Sequence, residues 1–224
     1  FEGYNEADLH RGQIEKMLRL TVYRDFSKLY RFANVEQRKF LALYFKRYEV
    51  SVIKECLNTV FDHRDVVLNL SIFDEFFNKH SQLDINLLAS SRTIEELIAN
   101  LKGTEYYAPL SQLADIERPT LFDYEMTLDL YYFAQMWKDR SKVVTKRDLE
   151  ELTAAWGSKF DMLNLQWIYR AKKYYNMKPA DIYLLIIPIH YKLSTAQIKE
   201  MVEAAGIEEL PVSYTHLTLP TNSL

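Results

Sequence analysis

Apolar and polar positions alternate along most of the chain with the helical period of about 3.6 residues. One apolar stripe near the amino terminus consists of Ile14, Leu18, Val22, Phe26 and Leu29. Because these positions share one side of a helical wheel, they predict an amphipathic helix. Blocks with the same period follow one another from residue 8 to residue 210, and the predicted fold class is therefore all-α.

Local signals mark where several of these helices begin and end. Three segments fit the capping box, in which a hydroxyl accepts a backbone N–H and a later acidic or amide side chain reaches back. They are Thr93–Glu96, Ser194–Gln197 and, more loosely, Thr145–Asp148. Pro179 suits the first turn of a helix that runs through Leu185, and Gly206 suits the end of the helix after the second box.

Only two short apolar runs are typical of β-strands. They are Val66–Leu70 and Ile182–Ile187, and the second equally fits a buried helix. The composition favours helices, because 48% of the residues are hydrophobic and there are only 5 glycines. So few glycines argue against a β-sandwich, a β-barrel and a glycine-rich nucleotide-binding loop.

The charge and the cysteine content exclude further classes. The chain has 28 Lys and Arg against 31 Asp and Glu, which gives a net charge of −3. It therefore lacks the overall excess of positive charge that is typical of nucleic-acid-binding proteins. The single cysteine, Cys56, excludes a disulfide framework and a CxxC site, and its apolar neighbours predict a small core residue. The longest apolar run, 182–189, falls far short of the roughly 20 residues that cross a bilayer.

An internal repeat of about 110 residues runs through the chain. Three pairs of similar segments occur in order: Ile14–Leu18 with Tyr124–Leu128 (offset 110), Tyr48–Ile53 with Phe160–Leu165 (offset 112), and Ile94–Leu97 with the identical Ile207–Leu210 (offset 113). The steady offset predicts two copies of one helical unit, at about 14–101 and 124–210.

Both ends of the sequence are expected to be truncated. The chain starts at Phe1, and its last fourteen residues, Pro211–Leu224, lose the charged, helix-forming character of the preceding sequence. This segment resembles a translated sequencing adapter, and it begins where the repeat predicts more helix. We expect it to be a non-native tail, with a native β-like carboxyl terminus as the alternative.

Candidate catalytic chemistry is sparse. His63-Arg64-Asp65 resembles the kinase catalytic loop, but Asn69 comes one residue early and no glycine-rich loop precedes it, so a polar loop is the favoured interpretation. No histidine has a second histidine at i+3 or i+4 to share a metal. We predict no catalytic, cofactor-binding or metal-binding residue and no cofactor.

The aromatic residues point mainly to packing. The 16 Tyr and 12 Phe mostly recur at helical spacing without a basic stripe, which favours helix interfaces over base stacking. The segment Tyr169–Tyr175 is the one basic and aromatic cluster. We interpret it as a solvated helix face, with contact to a partner as the alternative.

The second copy of the repeat carries a resemblance to a known family. Its segment Phe160-Asp161-x-x-Asn164-Leu165-x-x-Ile168-x-Arg170 is followed by Lys178-Pro179-x-x-Ile182 and by an apolar run ending at Pro188. This pattern resembles the C subunit of bacterial and archaeal V/A-type rotary ATPases, whose eukaryotic counterpart is the d subunit of the V-ATPase. The segment Glu125-x-x-Leu128-Asp129 matches the same family between its repeats, and the resemblance covers about residues 8–210.

The sequence also departs from the family pattern. Ile189-His190-Tyr191 stands where the family usually has a glycine-rich turn, and in the first copy the motif's Asn and Arg are Val52 and Asn58. These departures affect the expected loop geometry and make the first copy degenerate.

The resemblance implies a part of a funnel-shaped, pseudo-threefold assembly of helical units. It implies a non-catalytic central-stalk subunit, peripheral at the cytoplasmic face of the membrane, which couples the rotor shaft to the ion-carrying ring in ion transport or ATP synthesis. Its partners would be the shaft subunits and the ring, with no nucleic acid and no small-molecule substrate. Structural roles would fall to the polar residues of the family motifs: Asp161, Asn164 and Arg170, as polar residues on a helix surface that tie units together, and Glu125 and Asp129.

Two other functions stay open. A cytosolic α-helical repeat scaffold with unrelated partners fits the same helical pattern and repeat. An enzyme is the third possibility and rests on His63-Arg64-Asp65 alone.

Overall fold

The computed structural model describes residues 11–64, 74–204 and 206, and every regular element within them is helical. The helices are α1 (Arg11–Phe32), α2 (Val35–Phe61), α3 (Asp74–His80), α4 (Ile85–Ala89), α5 (Ile94–Asn100), α6 (Tyr107–Ser111), a 3₁₀ helix (Gln112–Asp115), α7 (Leu121–Val143), α8 (Lys146–Tyr175), α9 (Pro179–Tyr183) and α10 (Thr195–Glu203). The all-α prediction is confirmed. The run Val66–Leu70 lies outside the described residues, whereas Ile182–Ile187 forms the end of α9 and the turn after it.

Side-chain caps begin most of the longer helices, as local sequence signals predict. Ser194 and Gln197 form a complete capping box at the start of α10, and Thr145 caps α8. A second complete box, which was not among the predicted ones, joins Asn34 and Gln37 at the start of α2. Each cap supplies acceptors for amides that have no partner within the helix.

Three predicted boundaries differ in the structure. Thr93 caps α5, but the capping box is not complete. The Glu96 carboxylate accepts a hydrogen bond at 2.8 Å from the amide of Arg92, the residue before Thr93, and not from the amide of Thr93 itself. The helix begun by Pro179 ends at Tyr183 and does not run through Leu185. Helix α10 ends at Glu203 with Ala204 as its cap, so Gly206 lies beyond the end that it was predicted to form.

The chain divides into two compact units, residues 1–132 and 133–224, and the division falls within α7. In the first unit, the core is centred on the buried side of α2. Phe26 of α1 packs edge-on against Tyr48 of α2, with ring centroids 5.0 Å apart, and Phe45 contacts the ring of Phe77 in α3 at 5.5 Å. Interlocking aromatic side chains thus hold α1 and α3 against α2.

In the second unit, the core is centred on α8. Phe160 lies between Phe133 and Trp137 of α7, at centroid distances of 5.2 and 6.0 Å. The aliphatic part of this core comes from α8, α9, α10 and the segments between them: Ile168, Ile182, Ile187, Leu193, Ile198 and Val202 are all buried. A long helix therefore provides the platform on which the short elements pack.

The apolar stripe of α1 is only partly buried. Phe26 is 4% exposed, but Leu18, Val22 and Leu29 are exposed by 57%, 52% and 63%. The predicted helix is present, and the residue that faces α2 together with Phe26 is Tyr23, which is not on the predicted stripe. Periodicity identifies residues that share a face, but it does not say which face another element covers.

Candidate functional site

Asp161 projects from the middle of α8 into the interior of the second unit, where it is buried. Its carboxylate accepts hydrogen bonds from three successive backbone amides, those of Tyr191 (3.2 Å), Lys192 (2.7 Å) and Leu193 (3.0 Å). Because these three residues belong to no helix, the carboxylate provides the acceptor that their amides need. Asp161 thus fixes the segment that leads into α10 against α8.

Asn164 lies about one turn further along α8 and is fully buried. Its Nδ2 donates to the carbonyl of Ile187 at 3.0 Å, and its Oδ1 accepts the amide of the same residue at 2.8 Å. One side chain therefore satisfies both polar backbone groups of a buried residue.

The burial of Asp161 and Asn164 differs from the expectation that they would be polar residues on the helix surface. Their partner atoms lie between 23 and 32 residues further along the chain. Helical periodicity within α8 carries no information about a segment so distant in sequence, which is why the motif located both residues but not their surroundings.

Glu49 in α2 makes a comparable set of contacts within the first unit. It is buried, and its carboxylate accepts from Ser81 Oγ (2.6 Å), the Gln82 amide (2.9 Å) and Tyr106 Oη (2.6 Å). The predicted repeat would pair Glu49 with Asp161, and Gln82 precedes Lys192 by a similar 110 residues. Glu49 was not among the predicted structural residues, and its place in the repeat was the signal that could have identified it.

Glu125 and Asp129, both in α7, contact α2 within the first unit. Glu125 Oε1 accepts from Asn58 Nδ2 at 2.6 Å, and Asp129 Oδ1 pairs with Lys54 Nζ at the same distance. The two contacts lie about one helical turn apart on each helix. The Lys54 and Asp129 side chains are only 23% and 31% exposed, so solvent screens this ion pair less than a surface pair.

Arg170 takes part in none of these contacts. It is exposed near the carboxyl end of α8. A shallow surface pocket there is lined by Gln166, Tyr169, Arg170, Tyr174 and Tyr175. The structure therefore places four of the five predicted residues between elements and the fifth at the surface.

The residues considered for catalysis do not form a site in the described parts of the chain. His63 is exposed and has a left-handed backbone (φ 53°) just after α2, while Asp65 and Asn69 lie outside the described residues. Cys56 is fully buried, as predicted, and burial raises the pKa of its thiol to about 12. A thiol that stays protonated near neutral pH is a poor nucleophile.

Residues 11–64 and 74–204 contain neither a metal-binding cluster nor a membrane-spanning helix. No group of three or more His, Cys, Asp or Glu side chains there is placed to hold a metal ion. No helix among them is both long enough and apolar enough to span a membrane.

Comparison with known proteins identifies the family. A family model described as ATP synthase (C/AC39) subunit matches residues 1–216. The chain belongs to this family. The match extends into Pro211–Leu224, whose foreign origin stays a prediction.

Two curated relatives, from Methanosarcina mazei and Methanocaldococcus jannaschii, are each named as the C subunit of an A-type ATP synthase. The Methanosarcina mazei protein is 29% identical over 187 residues, which cover 82% of this chain and 49% of the relative. The Methanocaldococcus jannaschii protein is 23% identical over 198 residues, covering 87% and 48%, respectively. The chain thus spans about half the length of the curated relatives it matches. No solved structure matches it.

Proposed function

We propose that the chain is part of a non-catalytic central-stalk subunit of a V/A-type rotary ATPase, which couples the rotor shaft to the membrane ring. Membership of the ATP synthase (C/AC39) subunit family supports this role, as do the relatives that are named as C subunits of A-type ATP synthases. In this role the protein lies at the cytoplasmic face of the membrane, contacts the shaft subunits and the ring, and serves ion transport or ATP synthesis.

The observation that carries the proposal is that the buried acidic side chains hydrogen-bond to other parts of the same unit. Asp161 accepts hydrogen bonds from three backbone amides, and Glu49 accepts them from one amide and two hydroxyls. Carboxylates engaged in this way hold backbone segments against long helices and are not presented to a substrate in a pocket. Such an interior suits a body that must keep its shape while it transmits force.

We further propose that the protein is built from two copies of one helical unit, at about 14–101 and 124–210. The order of elements supports this division, because α1 and α2 precede short helices just as α7 and α8 do. In each copy, a buried carboxylate of the second long helix accepts the amide of a loop residue: Gln82 in the first copy, Lys192 in the second. Asp161, Asn164, Glu125 and Asp129 have structural roles in this arrangement, whereas Arg170 is available for contacts outside the chain.

The proposal is tested by binding to the expected partners. The tagged chain is immobilised and exposed to purified shaft subunits of an archaeal A-type ATP synthase, and separately to its detergent-solubilised rotor ring. We expect saturable binding to both, measured by biolayer interferometry, and none to an immobilised helical repeat protein of similar net charge. Binding to neither partner would overturn the proposal in favour of a scaffold with unrelated partners.

A further inference from the structure

The carboxyl end of α8 carries a surface cluster of basic and aromatic side chains. We call it the α8 patch, and it consists of Gln166, Tyr169, Arg170, Lys173, Tyr174 and Tyr175. None of these side chains is part of the buried contacts made by Asp161 and Asn164 on the same helix. The patch is therefore a surface feature that the packing of the second unit does not explain.

Two of the three tyrosines of the patch are exposed, and one of these two contacts the third, Tyr169. Tyr174 and Tyr175 are 64% and 66% exposed, which is high for side chains with so much apolar surface. Tyr169 and Tyr174 meet edge to face with centroids 6.3 Å apart. The Lys173 ammonium lies 4.9 Å from the Tyr169 centroid and 5.4 Å from that of Tyr174, so these three side chains stabilise one arrangement before any partner arrives.

The patch is also locally basic in an acidic chain. From Met162 to Ala180 the sequence contains Arg170, Lys172, Lys173 and Lys178 but no Asp or Glu, whereas the whole chain has a net charge of −3. A hydrogen bond to Tyr169 raises the pKa of Lys173, which keeps this side chain cationic. Within the described residues, no carboxylate forms a salt bridge with Arg170 or Lys173.

Helix electrostatics explain only part of this composition. Lys172 and Lys173 lie in the last turn of α8, where cations favour the negative end of the helix dipole, and Lys172 also donates to the carbonyl of Ala204 at 2.6 Å. Arg170 lies before that turn and the tyrosines carry no charge. Exposed tyrosine together with arginine is instead the composition of binding hot spots.

We propose that the α8 patch is a docking surface for an acidic segment of another protein. Carboxylates of the partner pair with Arg170 and Lys173, and an apolar side chain of the same segment lies among the tyrosines. The patch itself contains only two basic side chains, Arg170 and Lys173, whereas anionic membranes are typically bound by clusters of about 4–8 basic residues. We expect this partner to be another subunit of the rotary complex, and this part of the inference rests on the proposed function.

The first test uses a defined probe. A fluorescently labelled amphipathic peptide containing Glu and Leu is titrated with the full chain, and a peptide with Gln in place of Glu is the control. We expect R170E/K173E to weaken anisotropy-detected binding of the Glu peptide by about tenfold or more. The matched variant K146E/R147E changes the same charge at the opposite end of α8 and should change affinity by no more than about twofold.

Other outcomes of this test overturn the inference. Equal weakening by both double variants would mean that only net charge matters. Binding of phosphatidylserine vesicles without binding of the peptide would identify a membrane surface instead. A second variant, Y174A/Y175A, leaves every charge in place and should also lose affinity, and circular dichroism spectra identical to wild type show that it folds.

A second test separates this inference from the proposed function. The variants R170E/K173E and K146E/R147E are compared with the wild-type chain for binding to shaft subunits and to the rotor ring. Loss of either interaction with R170E/K173E alone supports the inference. Equal binding by all three chains to both partners would overturn it and leave the proposed function intact. A wild-type chain that binds the Glu peptide but no ATP synthase component would overturn the proposed function only.

Discussion

The side chain of Tyr191 packs directly on the backbone of Gly157 in α8. A Cβ atom added at position 157 would lie 2.6 Å from the Tyr191 Cβ and 2.8 Å from its Cδ2, closer than real Cβ atoms approach such neighbours. Tyr191 is also the first of the residues whose amides Asp161 accepts. Close packing and hydrogen bonding therefore act on the same short segment, and both depend on α8.

We expect Gly157→Ala to destabilise the chain, although alanine favours a helix over glycine by about 1 kcal/mol. The overlap involves the Tyr191 Cβ, which rotation of the ring cannot move away, and overpacking of this kind typically costs about 1–3 kcal/mol. Urea denaturation followed by circular dichroism measures the free energy of unfolding. In a Tyr191→Gly background the same change should be neutral or stabilising. A more stable Gly157→Ala chain would contradict this packing.

Asp161→Asn should lower the free energy of unfolding by about 2–3 kcal/mol, since hydrogen bonds to charged groups are the stronger class. The amide keeps the shape of the side chain but replaces one oxygen by an N–H₂ group that faces backbone donors. Glu151→Gln, an exposed position of the same helix, is the matched control and should change stability by no more than about 0.5 kcal/mol. Similar losses in both variants, measured by urea denaturation, would show that the three amide contacts contribute little.

Stability should fall as the pH rises from about 10 to about 12. Burial raises the pKa of Tyr48 to about 12, and burial with the neighbouring Glu49 raises the pKa of Tyr106 in the same direction. Because an unfolded tyrosine titrates near pH 10, the folded chain holds these protons more tightly. This contribution to stability is complete below about pH 10 and is lost as the pH rises through the folded values.

The alkaline effect is measured from urea midpoints across this range, together with the near-ultraviolet absorbance of tyrosinate. Tyr48→Phe removes one of the titrating groups and should make the dependence on pH shallower. Midpoints that stay constant between about pH 10 and pH 12 would be incompatible with buried, neutral phenols.

Cys56 should resist alkylation for as long as the chain is folded. Its thiol is fully buried and its pKa is raised to about 12, so both access and thiolate are lacking near pH 8. Mass spectrometry after iodoacetamide treatment should show labelling only when urea unfolds the chain. Val60→Cys, which also places a thiol at a buried position of α2, should behave alike, whereas Ser51→Cys at an exposed position should react readily.

Features that depend on nearby residues could be predicted from the sequence. The capping box of Ser194 and Gln197 needs only four consecutive residues, and the structure confirms it. The burial of Cys56 followed from apolar neighbours in the same helix. The exact ends of helices could not be predicted in the same way. The sequence placed the end of α10 at Gly206, whereas Ala204 caps it, because the last turn depends on what the following residues contact.

Features that depend on distant residues could be located but not interpreted. The family motif selected Asp161 and Asn164, yet their burial follows from backbone atoms of Leu193 and Ile187, far along the chain. The same holds for the apolar face of α1. Leu18 and Leu29 share a face with helical period, but nothing in their spacing shows that α2 covers a different side.

The backbone amides of residues 191–193 are all hydrogen-bonded to one buried side chain, although these residues belong to no helix. An irregular segment normally exchanges its amide protons with solvent through small local openings. Here each of three successive amides is held by one carboxylate, and that carboxylate belongs to α8, the longest of the helices that the structure describes. The deuterium uptake of this segment should therefore follow that of α8, so that a stretch without regular structure exchanges as slowly as the helix that holds it.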